Sequence, residues 1–198
     1  MSDLFEEKDI SPMLLGEEKQ PFDDPDSIYE LKLDGIRCIA YLEKGKVTLR
    51  NKRNKDITAL YPELADIHKC AKKRCILDGE LVSFTGGKPD FYAVQRRSLM
   101  TDGFQIGIAS RQNPVQFVAY DILYVGKESI TDKPLMNRKK ILSQTVEEGY
   151  NLSISRYIEG RGTEFFRLTK ESDLEGIVAK KKDGLYHIGR RTRDWIKI

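Results

Sequence analysis

Lys32-Leu33-Asp34-Gly35-Ile36-Arg37 brings an amine, a carboxylate, a glycine and a guanidinium together in one short string. An amine becomes a nucleophile once it loses its proton, which nearby cations or desolvation favour. Glycine lets a ligand approach the backbone, and an arginine can fork onto phosphate oxygens. The string therefore suits phosphate chemistry, although taken alone it fits an ordinary β-turn equally well. Asp78-Gly79-Glu80 sets another carboxylate in a strand-like stretch, where Glu80 is either a solvated residue or a ligand for a divalent cation. Glu175-Gly176-Ile177-Val178-Ala179-Lys180 places a carboxylate ahead of an apolar strand that ends in a lysine. It fits a helix end with glycine leading into a buried strand just as well. Trp195-Ile196-Lys197-Ile198 puts Lys197 on the face opposite Ile196 and Ile198.

Strands must position most of these groups. Ile28 to Leu33 alternates apolar and polar residues, Asp34-Gly35 reads as a tight turn, and Arg37 to Leu42 reads as the returning strand. Lys44-Gly45-Lys46 marks another turn before a strand over 47–51. Further strands are expected over 75–84, 115–125, 154–158, 176–180 and 195–198. Pro62 opens an expected short helix, and helices are expected over 90–101, 134–148 and 163–172. Phe91, Val94, Leu99 and Met100 read as inward anchors, as do Phe165 and Phe166. Residues 1–27 are polar, acidic and dotted with prolines, and read as an irregular arm ahead of a domain over 28–198. The fold class is α+β, with antiparallel β-sheets flanked by helices.

Composition narrows the classes. The 198 residues are 39% hydrophobic and 33% charged, with a formal net charge of only +3. That is a globular chain, with no apolar run long enough to span a bilayer and no signal-peptide pattern. A cytoplasmic location is expected. Basic residues cluster over 44–55 and over 180–197, as a phosphate-tracking surface or a solvated rim. Cys38, Cys70 and Cys75 show no metal-site spacing and suit reduced thiols, and two histidines are too few for a zinc site.

In this order the strings resemble the covalent nucleotidyltransferases, and within them the ATP-dependent DNA ligases. Lys32 to Arg37 resembles the nucleophile motif, and Ser11-Pro12-Met13-Leu14 is similar to a string common ahead of it. Asn51 to Thr58 resembles the second motif, with Arg53 in its arginine slot. Asp78-Gly79-Glu80, Val118 to Leu123, Glu175 to Lys180 and Trp195 to Lys197 are similar to the motifs that follow. The resemblance implies an ATP-grasp-like adenylation domain in which Lys32 attacks the α-phosphate of ATP, keeps AMP covalently, and passes it to the 5′-phosphate of nicked double-stranded DNA. It implies Mg²⁺ (or Mn²⁺) near Glu80 and Glu175. Lys180 and Lys197 would grip phosphates, and Arg37 would contact the ribose or a DNA phosphate. Tyr120 would stack on adenine, Glu30 would accept a hydrogen bond from its amino group, and Glu80 would also bond a ribose hydroxyl. Arg53 would contact the 5′-phosphate of the nick, and Leu31 counts among the nucleotide-binding residues.

The resemblance further implies a monomeric, membrane-free protein of a bacterial or phage-like, nucleoid-associated kind. The family's second fifth-motif lysine and its OB-fold domain are absent from this chain, and an OB-fold domain is expected in the full-length protein. An mRNA-capping or RNA-ligase activity is the alternative within the superfamily, and a non-catalytic nucleic-acid-binding module is the alternative outside it. The chain is expected to bind ATP and to adenylate itself slowly, yet to seal nicks poorly. Transfer of labelled AMP followed by a nick-sealing assay checks this, and robust sealing by the chain alone would overturn it.

Overall fold

Two β-sheets face each other across a layer of apolar side chains, and the chain crosses between them at the segments that bear the site. The computed structural model describes residues 3–198, so residues 1 and 2 of the expected arm lie outside the described residues. The first sheet runs in the order β1 (Leu14–Glu17), β13 (Arg191–Lys197), β12 (Ile177–Lys181), β2 (Ser27–Leu31) and β11 (Tyr157–Glu159). The second runs β10 (Leu152–Ile154), β8 (Gln116–Val125), β5 (Cys75–Val82), β3 (Ile36–Glu43) and β4 (Lys46–Asn51), with β9 (Glu128–Ser129) beside β8. β6 (Phe84–Thr85) and β7 (Lys88–Pro89) form a small separate hairpin. Pairing is antiparallel apart from β1 with β13 and β10 with β8. Antiparallel sheets with helices on their outer faces bear out the α+β reading.

Strand alternation divides the apolar residues among three layers. Ile28, Ile39, Tyr41, Ile76, Leu123 and Trp195 fill the space between the sheets. Cys38, Ala40, Leu77, Leu81 and Phe117 face the other way, toward Tyr61, Leu64, Val94 and Leu142. The outer face of the first sheet packs Tyr29, Ile177 and Ala179 against Phe165 and Phe166 of α5 (Gly162–Glu171). Each fully buried large side chain contributes about 1.5–3 kcal/mol.

Several expectations are corrected. The stretch over 1–27 is not irregular throughout: α1 (Leu4–Glu7) and β1 lie in it, and Phe5, Ile10 and Met13 are buried. These apolar residues are spaced too widely among acids to show a period. Asp34-Gly35 is not a hairpin turn, because β2 and β3 belong to different sheets. The single strand expected over 154–158 is two strands, β10 and β11, again in different sheets. The helix expected after Pro62 is a series of single 3₁₀ turns, Pro62–Leu64 and Ile67–Cys70, preceded by another at Thr58–Leu60. The helix over 90–101 is α2 (Phe91–Ser98), capped by Asp90, and Leu99 beyond it is 76% exposed rather than an anchor. α3 (Gly103–Gln112), capped by Asp102, was not anticipated, because its apolar residues show no clear stripe.

α4 (Leu135–Thr145) is fixed to the second sheet by a buried ion pair. The Arg138 guanidinium donates to Asp121 at 2.8 and 3.0 Å, and to the carbonyls of Lys133 and Gly184 at 2.5 and 3.0 Å. Both side chains are wholly buried. Removing one partner leaves an uncompensated buried charge. Arg138→Met is expected to lower unfolding free energy by about 3–5 kcal/mol. Adding Asp121→Leu should recover more than half of the loss, both read from urea denaturation.

Candidate active site

Lys32 sits in the first crossing between the sheets, directly after β2, with its backbone N–H bonded to the Gly176 carbonyl at 2.9 Å. The crossing can hug β5 because Gly35 has no side chain. A Cβ there would lie 2.3 Å from the Leu81 carbonyl oxygen and 2.9 Å from Glu80 Cγ. Glycine is thus required by close approach rather than by a left-handed backbone. The second crossing, Ser155 and Arg156, arrives beside it: Ser155 Oγ donates to Glu30 Oε2 at 3.0 Å.

A cleft of about 230 Å³ opens between the sheets at this point. Lys32, Asp34, Glu80 and Glu175 line one side; Glu30, Lys180, Tyr120 and Trp195 line the other. Leu31, Arg37 and Leu15 also border it. Tyr120 reaches the cleft through a β-bulge. Asp78 pairs with Asp121 and Gly79 with Ala119, so Tyr120 is the extra residue on β8. Bulges re-aim side chains in this way beside functional sites. Tyr120 meets Trp195 edge to face at 6.0 Å, and the Lys180 ammonium lies 4.6 and 4.0 Å from the two ring centres.

Charge is sorted along the cleft. The Lys32 ammonium contacts Glu175. Asp34 beside them is raised by burial and by Glu175. Burial also pushes Glu80 up to about 8, against the pull of Arg37. Among the described residues nothing hydrogen-bonds the Glu80 carboxylate. At the other end Glu30 is 2% exposed, held by Lys180 at 3.0 Å and by contact with Lys139 of α4. Burial works to raise Glu30, but the two ammoniums outweigh it and hold it below the usual carboxylate range. Burial brings Lys180 down to about 8, with Glu30 opposing.

Arg37 is committed elsewhere. Its guanidinium grips Asp78 at 2.6 and 3.0 Å, and Tyr186 donates to the same carboxylate at 2.7 Å. Tyr186 in turn accepts from the Met13 N–H at 3.0 Å. Burial disfavours the charged guanidinium, but Asp78 outweighs it and raises Arg37 well above its ordinary value.

Two expected residues do not border the cleft. Lys197 lies on the cleft-facing side of β13, beside Val178, but its ammonium bonds Glu17 at 3.2 Å. Arg53 is exposed in the turn after β4, at the sheet end where Asn51 pairs with Cys38. The basic stretch over 44–55 is divided by β4, with Lys44 and Lys46 at one end and Lys52, Arg53 and Lys55 at the other. Lys180 is buried and belongs to no rim. Trp195, Asp34, Leu15 and Lys139 were assigned no role from sequence. Asp34 and Trp195 stand in strings that the sequence singles out, and Lys139 carries a weaker signal, a lysine in helical register with the apolar Leu135 and Leu142.

Carboxylates near a developing phosphate charge suit a divalent cation. Mg²⁺ is commonly held by one or two carboxylates, with substrate phosphates and waters completing its shell. Among the described residues no group of three or more His, Cys, Asp or Glu side chains is placed to hold a metal ion by itself. Glu80 and Glu175 fit that sparse set, and the desolvated Glu80 would gain most from a cation.

Residues 14–198 match the family model described as the ATP dependent DNA ligase domain. The SPbeta prophage-derived DNA ligase-like protein LigB of Bacillus subtilis (strain 168) is 37% identical over 190 residues, covering 96% of this chain and 67% of LigB. The multifunctional non-homologous end joining protein LigD of Mycobacterium bovis is 30% identical over 85% of this chain, which spans only 21% of that protein. The solved mycobacterial DNA ligase D complexed with ATP and MES superposes with a TM-score of 0.81 at 27% identity, covering 96% of this chain and 60% of that one. Among the described residues no helix is long and apolar enough to cross a membrane.

Glu80 makes stability depend on pH. Its folded-state proton affinity exceeds that of the unfolded chain, so stability should fall as pH rises from about 4.5 to about 8. Glu80→Gln is expected to flatten that decline in urea midpoints measured over the same range.

Proposed function

The chain belongs to the ATP-dependent DNA ligase family, and from that premise we propose that its cleft holds ATP with the α-phosphate at Lys32 and the purine against Tyr120 and Glu30. The observation that carries the reading is the cleft's polarity: a lysine amine among carboxylates at one end, an aromatic wall with a buried acceptor at the other. Lys32 Nζ attacks the α-phosphorus, a P–N bond forms, and the bond to the bridging oxygen breaks as pyrophosphate departs with the electron pair. Glu175, in contact with Nζ, aims the amine and is placed to take the proton it loses. Lys180, kept protonated by Glu30 against its burial, supplies positive charge to the phosphates from behind the aromatic pair. Arg37, locked by Asp78, shapes the wall beneath the ribose. Glu80 and Glu175 would hold the Mg²⁺, which when bound offsets phosphate charge.

The AMP then passes to the 5′-phosphate of nicked double-stranded DNA, and the exposed Arg53 serves that phosphate from the rim. Lys197 joins the phosphate contacts on leaving Glu17. We further propose an OB-fold domain in the full-length protein, a monomeric state, and a cytoplasmic, nucleoid-associated location. Transfer is largely positioning and charge neutralisation, so loss of the nucleophile should be absolute. Lys32→Ala is expected to abolish the AMP mass increment seen by intact mass spectrometry after incubation with ATP and magnesium. Mapping the nucleotide to another residue of the wild-type chain would overturn the assignment.

A further inference from the structure

Lys139 occupies a position where a leucine or methionine would pack. It is 6% exposed on α4, and among the described residues its ammonium meets only Glu30 and, at 5.7 Å, the ring of Tyr157. Burying an ammonium costs several kcal/mol unless it is well paired. Lys139 does not border the cleft; Glu30 does. Whatever Lys139 does to a ligand, it does through that carboxylate.

Glu30 stands on β2 with a group facing it from each neighbouring element: Lys180 on β12, Lys139 on α4, Ser155 in the second crossing, and Tyr157, its register partner, on β11. Beyond them Asp121 acts on Lys180. With one ammonium against each oxygen, Glu30 stays ionised, and an ionised carboxylate only accepts hydrogen bonds. Adenine presents an amino donor where guanine presents a carbonyl acceptor. A carbonyl set against an ionised carboxylate places two acceptors face to face with no proton between them, which specificity sites punish heavily. A protonated Glu30 would carry an O–H able to satisfy guanine.

We propose that Lys139 is a positioning residue for base selection. Its ion pair keeps Glu30 a fixed, ionised acceptor that takes adenine and turns away guanine. The proposal rests on the reading that the purine lies against Glu30.

Trp195 is the single tryptophan and borders the cleft, so its fluorescence reports occupancy. The test is the dissociation constant for ATP and for GTP at pH 6 and pH 8. It is measured on the full chain as wild type, K139M, K139R, E30Q and E30Q/K139M. The wild type should prefer ATP at least tenfold at both pH values. K139M should lose tenfold or more of the preference it inherits, and lose more at pH 6, where Glu30 with a single ammonium takes up a proton more readily. K139R should keep the preference, and adding K139M to E30Q should change nothing further. K139M retaining the wild-type preference at both pH values while E30Q loses it would overturn the role of Lys139. Both variants retaining it would instead remove the purine from Glu30. Should K139M fail to fold, K139Q, which keeps a polar neighbour for Glu30 without the charge, carries the test: a lost preference supports the proposal, and the wild-type preference at both pH values overturns it.

Discussion

The site depends on the chain passing from one sheet to the other within van der Waals reach of β5. That passage is possible because Gly35 presents hydrogen where any other residue would drive a carbon into the Leu81 carbonyl. Lys32 is held at the mouth of the passage by the Gly176 carbonyl. The second passage, at Ser155, lands on Glu30. Two crossings at one point give a cleft whose walls come from both sheets, so neither sheet alone holds a recognisable part of the chemistry.

Electrostatics then gives the cleft a direction. Three carboxylates crowd a single amine at one end, while a single carboxylate is divided between two amines at the other. Both arrangements cost stability, because desolvated charge is paid in folding free energy. The aromatic pair Tyr120 and Trp195 packs against the Lys180 ammonium at the second end. Behind it, Arg37, Asp78, Tyr186 and the Met13 backbone form a chain of hydrogen bonds that ties the segment before β1 to the wall of the cleft.

Much of this was legible in the sequence, and for a specific reason. Glu80 and Lys180 sit in strings whose strand alternation fixes which way they point, Lys32 and Glu175 lie directly beside such strings, and with Tyr120 all of them border the cleft. What escaped was long-range. The stretch over 154–158 reads as one strand, because nothing local records that the chain changes sheets at Ser155. The bulge that presents Tyr120 depends on the register of β5 against β8, and the Arg37–Asp78 pair joins residues far apart in sequence. Lys139 drew no role because its partner lies on another element.

The pairing of β1 with β13 carries a consequence for biosynthesis. Leu14 lies against Arg191 and Glu17 against Lys197, so an early strand waits for a late one. Trp195, a wall of the cleft, arrives on that same late strand. A nascent chain on the ribosome therefore exposes Lys32 long before the cleft beside it has both its walls. Such distant pairing also slows folding, since the loop must close before any contact rewards it. The cleft is walled only when β13 slots between β1 and β12.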